Sequence, residues 1–275
     1  VVVEADEFDR SFMHLHPEAA AVTTVDADHL DIYGDAGELT RTFESFLGQV
    51  SGPTFTGADL QPSESVVGEG ARVRAKDVRP ANGAYEFTLV VDGVEHPTSL
   101  KMPGAHNVYN ATLAAALAQY AGVDGAKIAE ALSSFKGIKR RFEFHCEEPV
   151  IIEDYAHHPT ELEALLDSVD ALYPEKNIVL VFQPHLYSRT RDFMSGFQAQ
   201  LVRATKTVLL PIYPAREAPI PGVTSAALAE KIPHAEVVEK DVLAGRVKAL
   251  EPEVVLVVGA GDIGDLVGPL KAELT

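Results

Sequence analysis

IIEDYAHHPTELEALL, residues 151–166, begins as an apolar run, breaks into two acids, a tyrosine and two adjacent histidines, and resumes at helical spacing after a proline. The run reads as a buried strand. Pro159 suits the first turn of the helix that follows, because its missing N–H would have no partner there anyway. Leu162, Leu165, Leu166 and Val169 then fall on one helical face. The same rhythm recurs downstream. Apolar segments NIVLVFQ, TVLLPIY, AEVVEK and EVVLVVGAG alternate with helical stretches, the last striped by Ile263, Leu266, Val267 and Leu270. Continuous apolar strands alternating with amphipathic helices predict an α/β fold with a Rossmann-like, doubly wound parallel sheet over residues 140–275.

Upstream of KGIKRRFE the pattern differs, and we place the boundary at residue 139. Strands are expected near 1–4 and 19–25, then a helix over 36–47 with Leu39, Phe43, Phe46 and Leu47 on one face. Residues 54–102 are β-prone segments cut by Gly, Pro and Asn, and Asp92-Gly93 is a two-residue hairpin signal. Helices follow near 105–121 and 125–135. Asp124 is placed to cap the second, with Ile128, Ala131, Leu132 and Phe135 facing inward. The opening VVVEADEFDR carries no secretory pattern and reads as a strand reaching its carboxyl end, so upstream sequence is expected.

With 46% hydrophobic residues, 20 Gly and 17 Pro in 275 residues, the balance is that of a soluble globular protein. A formal charge of −18, with no Lys/Arg block to offset the acids, argues against nucleic acid as a partner. No apolar stretch approaches the roughly 18 residues of a membrane span. One cysteine, Cys146, makes no internal disulfide, so a cytoplasmic location is expected.

In an open parallel sheet the ligand crevice lies beyond the carboxyl ends of the strands. The EDYAHHP segment sits at such an end, where Asp154 suits ribose hydroxyls and histidines suit phosphate; the alternative is that Asp154 and His158 simply cap the helix. VFQPHLYSRTRDF, residues 181–193, is a second strand end, with His185, Arg189 and Arg191 after a proline. Guanidinium forks match carboxylates and phosphates; two loop arginines are more often simply solvated, but a place on the crevice side shifts that balance. In the first half, EADEFD and DADHLDIY gather Glu4, Asp6, Glu7, Asp26, Asp28, His29 and Asp31, which suit Mg²⁺ or a solvated acidic loop. GAGDIG, residues 259–264, matches a dinucleotide fingerprint formally. It lies on the last strand with no second βαβ unit, so close helix-on-strand packing is the better reading.

EADEFDRSFMHLHP, DADHLDIYG, GAHNVYNATLAA, KRRFE, EDYAHHPTE, FQPHLYSRTRDF and VVGAGDIG, in this order and spread over nearly the whole chain, resemble the Mur ligase family. The resemblance implies ATP-dependent amide formation in peptidoglycan precursor synthesis, and the FQPHLYSRTRD loop is most similar to members that join L-alanine to UDP-N-acetylmuramate. It further implies that residues 1–139 are part of a central ATPase domain and 140–275 a whole C-terminal domain. No G-x-x-G-K-Ser/Thr phosphate loop occurs in the chain, so this stretch is expected to be inactive alone. A murein-peptide recycling ligase and a non-catalytic nucleotide-binding module on the same fold are the alternatives. A metal-dependent hydrolase using His29, Asp31, His157 and His158 would need histidines from both domains on one ion.

By the same resemblance, Glu4 and His29 would bind Mg²⁺, and Asn107 and Asn110 would face adenine. Arg141 would reach the γ-phosphate, and Asp154 with His157 the ribose and neighbouring phosphate. His185 and Arg189 would orient the alanine or the acyl-phosphate, with the whole site assembled between the domains. Two departures stand out. Residues 30–50 hold no Lys to serve as the family's carbamoylated lysine, leaving a carboxylate such as Glu44 as a substitute, and Leu186 stands where related ligases often carry Arg.

Overall fold

The computed structural model describes residues 1–25, 30–56, 60, 64–66, 70–81 and 84–275. It contains two compact units, one of Val1–Lys101 with Ala105–Phe135 and one of Met102–Gly104 with Lys136–Thr275. Among the described residues no helix is long and apolar enough to cross a membrane.

The first unit holds β1 (Ala20–Val22), α1 (Leu30–Tyr33), α2 (Ala36–Leu47), β2 (Thr54–Thr56) and β3 (Glu64–Ser65). Strands β1, β2 and β3 form a short parallel sheet in that order. Asp35 caps α2 by accepting the Glu38 N–H at 2.8 Å. The buried face of α2 is the expected one, Leu39, Phe43 and Phe46, and the Phe12 ring packs at 5.2 Å from Phe43 and 5.0 Å from Phe46. The strand expected near 1–4 does not form. Residues 1–7 carry no ladder, and Val1 to Val3 are exposed. Apolar side chains alone do not make a strand where no neighbouring backbone satisfies its N–H and C=O groups.

Then come β4 (Val73–Ala81), β5 (Ala84–Val91) and β6 (Val94–Leu100), an antiparallel meander. Asp92 and Gly93 turn β5 into β6 with φ of 49° and 84°, the positive values that a two-residue hairpin of this type needs. α3 (Ala105–Tyr120) and α4 (Gly125–Ser134) close the unit, and Asp124 caps α4 through the Ala126 N–H at 2.9 Å. The face α4 buries is Ile128 with Ala129; Ala131 and Phe135 are exposed, against expectation. Phe135 fails because the helix ends at Ser134 and the next residue turns to extended backbone, off the helical face.

The second unit runs β7 (Glu143–Glu147), β8 (Val150–Asp154), α5 (Pro159–Leu172), β9 (Ile178–Phe182), α6 (Tyr187–Asp192), α7 (Met194–Leu201) and β10 (Lys206–Leu209). It continues with α8 (Ser225–Ala229), β11 (Ala235–Val237), α9 (Leu243–Lys248), β12 (Val254–Val258) and α10 (Val267–Leu274). The sheet order is β11-β10-β9-β12-β8-β7. The first five strands are parallel, as expected, but β7 is an antiparallel edge. Its polar sequence EFHCE lacks the apolar run of a buried strand, which is why an edge position suits it.

Alternate residues of the parallel strands face opposite layers. Ile152, Leu180, Leu209 and Leu256 pack with the Leu162, Leu165, Leu166 and Val169 stripe of α5, while Ile151, Val179, Val208 and Val255 pack with Leu243, Val247, Val267 and Leu270. Complete burial of one such side chain contributes about 1.5–3 kcal/mol. Leu166→Ala is therefore expected to lower unfolding free energy by about 2–5 kcal/mol in urea titration. A loss below about 1 kcal/mol would show that α5 is not packed as described.

Candidate active site

The carboxyl ends of β8, β12 and β9 are tied side by side, Gly259 N–H donating to the Asp154 carbonyl at 3.1 Å and Gln183 N–H to the Val258 carbonyl at 3.0 Å. Loops leaving these ends, with the one after β10, bring side chains into a row. Tyr155 and His157 have ring centroids 5.3 Å apart, His157 and His185 6.3 Å, and His185 stacks on Tyr213 at 5.6 Å with 13° between planes. The Arg141 guanidinium lies 5.5 Å from the Tyr155 ring and its nitrogen 3.6 Å from Glu161. Arg189 is on α6, which follows the same strand, β9, as His185.

Each member has a local cause. The turn 140–142 places Arg140 and Phe142 at φ of 58° and 51°, both left-handed, with Arg141 between them. Such backbone persists only where surroundings over-determine it. Here Tyr155 N–H donates to the Arg140 carbonyl at 2.7 Å, and Phe142 N–H donates to Asp154 at 2.8 Å. Asp154 also accepts the Ala156 N–H at 2.8 Å. Its carboxylate is thus buried and engaged by backbone on both oxygens. The reading of Asp154 as a cap of α5 is corrected: it locks the turn that carries Arg141.

His158 is the cap of α5. Its ring nitrogen accepts the Thr160 N–H at 3.4 Å while Glu161 reaches back to the His157 and His158 N–H groups at 2.7 and 3.1 Å, a reciprocal capping box. His157 is left to face the row. Its Nδ1 sits 2.9 Å from the Tyr155 carbonyl, which can only accept, so that nitrogen carries a proton. Burial pushes His185 down to about 4, with Arg189 and His157 adding repulsion, so its imidazole is neutral at pH 7. Its Nδ1 is buried with no hydrogen-bond partner. Arg191, on α6, pairs with Asp192 at 2.7 Å on the surface.

The glycines of 259–264 serve close approach. A Cβ on Gly261 would lie 2.5 Å from Gln183 Oε1 and 2.7 Å from Tyr213 Cγ, and one on Gly264 would lie 2.6 Å from Glu153 Oε1. The packing reading of this motif holds. Sequence reasoning missed Tyr155, Tyr213 and Glu217. Tyr213 was reachable, since it follows the TVLL strand on the crevice side; Glu217 lies in an irregular loop with no periodic signal.

The first unit places Asn107 and Asn110 on the opening turns of α3, Asn107 half-buried and Asn110 exposed. Glu4 is exposed in segment 1–7, which has no regular secondary structure, and Glu44 is exposed on α2. His29, with Asp26 and Asp28, lies outside the described residues, as does the side chain of Asp31. A carboxylate such as that of Glu4 is chemically of the type, a hard oxygen donor, that suits Mg²⁺. Among the described residues one three-ligand cluster of metal-binding type occurs, Glu143, His145 and Glu153 in the second unit. Arg140 offsets one of its two carboxylate charges, with Nε 2.9 Å from Glu153, and its backbone N–H donates to Glu143 at 2.8 Å.

Comparison with known proteins identifies related chains. Residues 1–118 match the Mur ligase middle domain and residues 140–261 the Mur ligase glutamate ligase domain. The chain is 45% identical over 284 aligned residues to a UDP-N-acetylmuramate–L-alanine ligase of Christiangramia forsetii, covering 100% of this chain and 63% of that protein. It is 44% identical over 283 residues to the same-named protein of Flavobacterium psychrophilum, with 99% and 63% covered. Among solved structures it is similar to the UDP-N-acetylmuramate–alanine ligase MurC of Thermotoga maritima, with TM-score 0.79, 25% identity, and 98% of this chain and 62% of that one covered. The chain belongs to the Mur ligase family and comprises its middle and C-terminal domain types. It spans about 63% of the length of the curated relatives it matches.

The Asp154 carboxyl gives a pH test. Burial outweighs the two N–H bonds and raises it from 3.8 to about 6. A folded value above the unfolded one means that its stabilising contribution is full below pH 3.8 and is lost as pH rises through 6. Carboxyl ¹³C NMR is expected to show Asp154 titrating near 6; a midpoint at or below the ordinary 3.8 would contradict its burial.

Proposed function

We propose that this chain is the nucleotide- and amino-acid-binding part of a cytoplasmic, ATP-dependent ligase that joins L-alanine to UDP-N-acetylmuramate. The observation that carries the reading is the row Arg141, Tyr155, His157, His185 at the strand ends, with Arg189 beyond it, in a chain 45% identical along its length to a protein of that name. The muramoyl carboxylate takes the γ-phosphoryl group of ATP, and the neutral amine of alanine then attacks the carbonyl carbon and expels phosphate.

In this scheme Arg141 stabilises charge on the transferring phosphoryl group: the locked turn holds its backbone, and Glu161 and the Tyr155 ring lie beside its guanidinium. His157 meets the ribose or an adjoining phosphate, and Asn107 and Asn110 meet adenine. Asp154 positions Arg141 and, through its remaining lone pairs, joins His157 in meeting the ribose. Neutral His185 and cationic Arg189 orient the alanine or the acyl-phosphate; a neutral imidazole avoids repelling the ammonium of the incoming amino acid. Glu4 and His29 are the residues proposed for Mg²⁺, which supplies neutralisation of phosphate charge.

Two outcomes test this. The 275-residue chain alone, which lacks a G-x-x-G-K-Ser/Thr pattern, is expected to release no ADP in response to UDP-N-acetylmuramate and L-alanine, whereas a polypeptide of the relatives' full length bearing it does so. In that longer protein Arg189→Ala is expected to lower kcat/KM for alanine by about 2–3 kcal/mol, the worth of a charge-assisted contact. Full activity of the 275-residue chain, or an unchanged kcat/KM, would contradict the assignment.

A further inference from the structure

The loop after β10 does more than cover the strand end. α6 is only six residues long and its N-cap, Leu186, supplies no side-chain acceptor. Leu186 also holds φ of 70°, a strained value for a γ-branched side chain. The first N–H groups of such a helix have no partner within it. They are met instead from residues 213–217. Glu217 Oε2 accepts the Ser188 N–H at 2.9 Å, and its other oxygen takes the Ser188 hydroxyl in a short hydrogen bond. The Tyr187 N–H also bonds to this carboxylate.

The same loop fixes the strained residue. Leu186 N–H donates to the Tyr213 carbonyl at 2.9 Å, and Tyr213 N–H donates to the Pro184 carbonyl at 2.8 Å, so residues 184–186 and 213 form a small parallel bridge. His185 stacks on the Tyr213 ring across it. Glu217 is half-buried; burial works to raise its carboxyl, but the Ser188 and Tyr187 bonds with Arg189 nearby prevail and hold it below the ordinary range. A carboxylate thus stands at the positive end of α6, where it is stabilised, and close enough to Arg189 to share its field.

The structure assigns Glu217 as a positioning residue for the amino-acid substrate: by capping α6 from a separate loop it sets the direction of Arg189 and the seat of His185, and with them the fit of a small amino acid. This inference rests on the reading of Arg189 and His185 given above and adds to it a residue that touches neither nucleotide nor sugar.

The test uses the full-length protein bearing this chain, with Glu217→Gln, Ser188→Ala and Arg189→Ala assayed side by side for each substrate. Glutamine keeps the size of the side chain but turns an N–H₂ group toward donors that need an acceptor. Glu217→Gln is expected to raise KM for L-alanine about tenfold or more while KM for ATP and UDP-N-acetylmuramate stays within about twofold, the scale of losing a charge-assisted bond. Ser188→Ala, which removes only the hydroxyl bond, is expected to give a smaller rise in the same direction. An unchanged KM for alanine in both variants, or an equal rise for all three substrates, would overturn the assignment, the latter because it marks general loosening. Should Arg189→Ala itself leave alanine kinetics unaltered, the underlying reading of the loop fails instead.

Discussion

One guanidinium organises the carboxyl edge of the second unit. Arg140 donates to the Gly259 and Gly261 carbonyls at 2.6 and 3.1 Å, lies 4.7 Å from the centre of the Tyr155 ring, and sets Nε 2.9 Å from Glu153. The Nε contact is close enough for an ion pair without the alignment of a hydrogen bond, so that nitrogen remains unsatisfied as a donor. Glu153 is 5% exposed, and a carboxylate so buried is tolerated only with a paired cation. Three separate segments, the turn at 140–142, the end of β8 and the loop after β12, are joined through this one side chain. Asp154 completes the lock from the neighbouring position by holding Phe142 and Ala156.

The consequence is preorganisation. A phosphoryl-transfer site gains most from charges that are already aimed when substrate binds, because no reorganisation is then needed at the moment of reaction. Arg141 is carried between two left-handed residues that would relax if unsupported, and His157 is set by a carbonyl and a capping glutamate. Further along the row, Tyr213 and Glu217 do for His185 and Arg189 what Arg140 and Asp154 do for Arg141. In both cases a residue proposed to meet substrate is held by its neighbours.

Much of the frame was legible in the sequence, for a physical reason. Strands β9 and β12 are buried along their whole length and read as unbroken apolar runs, β8 and β10 each hold a shorter one, and the α5 stripe reads at helical period. Strand β7 was not legible, because an edge strand keeps polar side chains and EFHCE has no such run. Residues 1–3 misled in the opposite sense, being apolar yet unladdered, and Phe135 lost its inward place when the helix stopped one residue short of it. At the site, His157, His185 and Arg189 stood out as titratable residues after apolar strands, whereas Arg141 was named only through the family resemblance. Their supports were not visible. Whether Asp154 capped a helix or locked a turn depended on residue 142 folding back beside it, and Glu217 acquired its role from a helix thirty positions upstream in the chain, in the same way that no local pattern marks Arg140 as the link to Gly259.

Hydrogen–deuterium exchange on an Arg140→Lys variant of the 275-residue chain tests the central claim most directly. Lysine keeps the charge but cannot span Glu153 and two carbonyls together. The account predicts faster exchange at the Phe142, Tyr155, Ala156 and Gly259 amides, with the amides of Val179, Val181, Val255 and Val257 in the sheet interior unchanged. Equal protection of the first group in variant and parent would contradict it, since the edge would then be held by something other than Arg140.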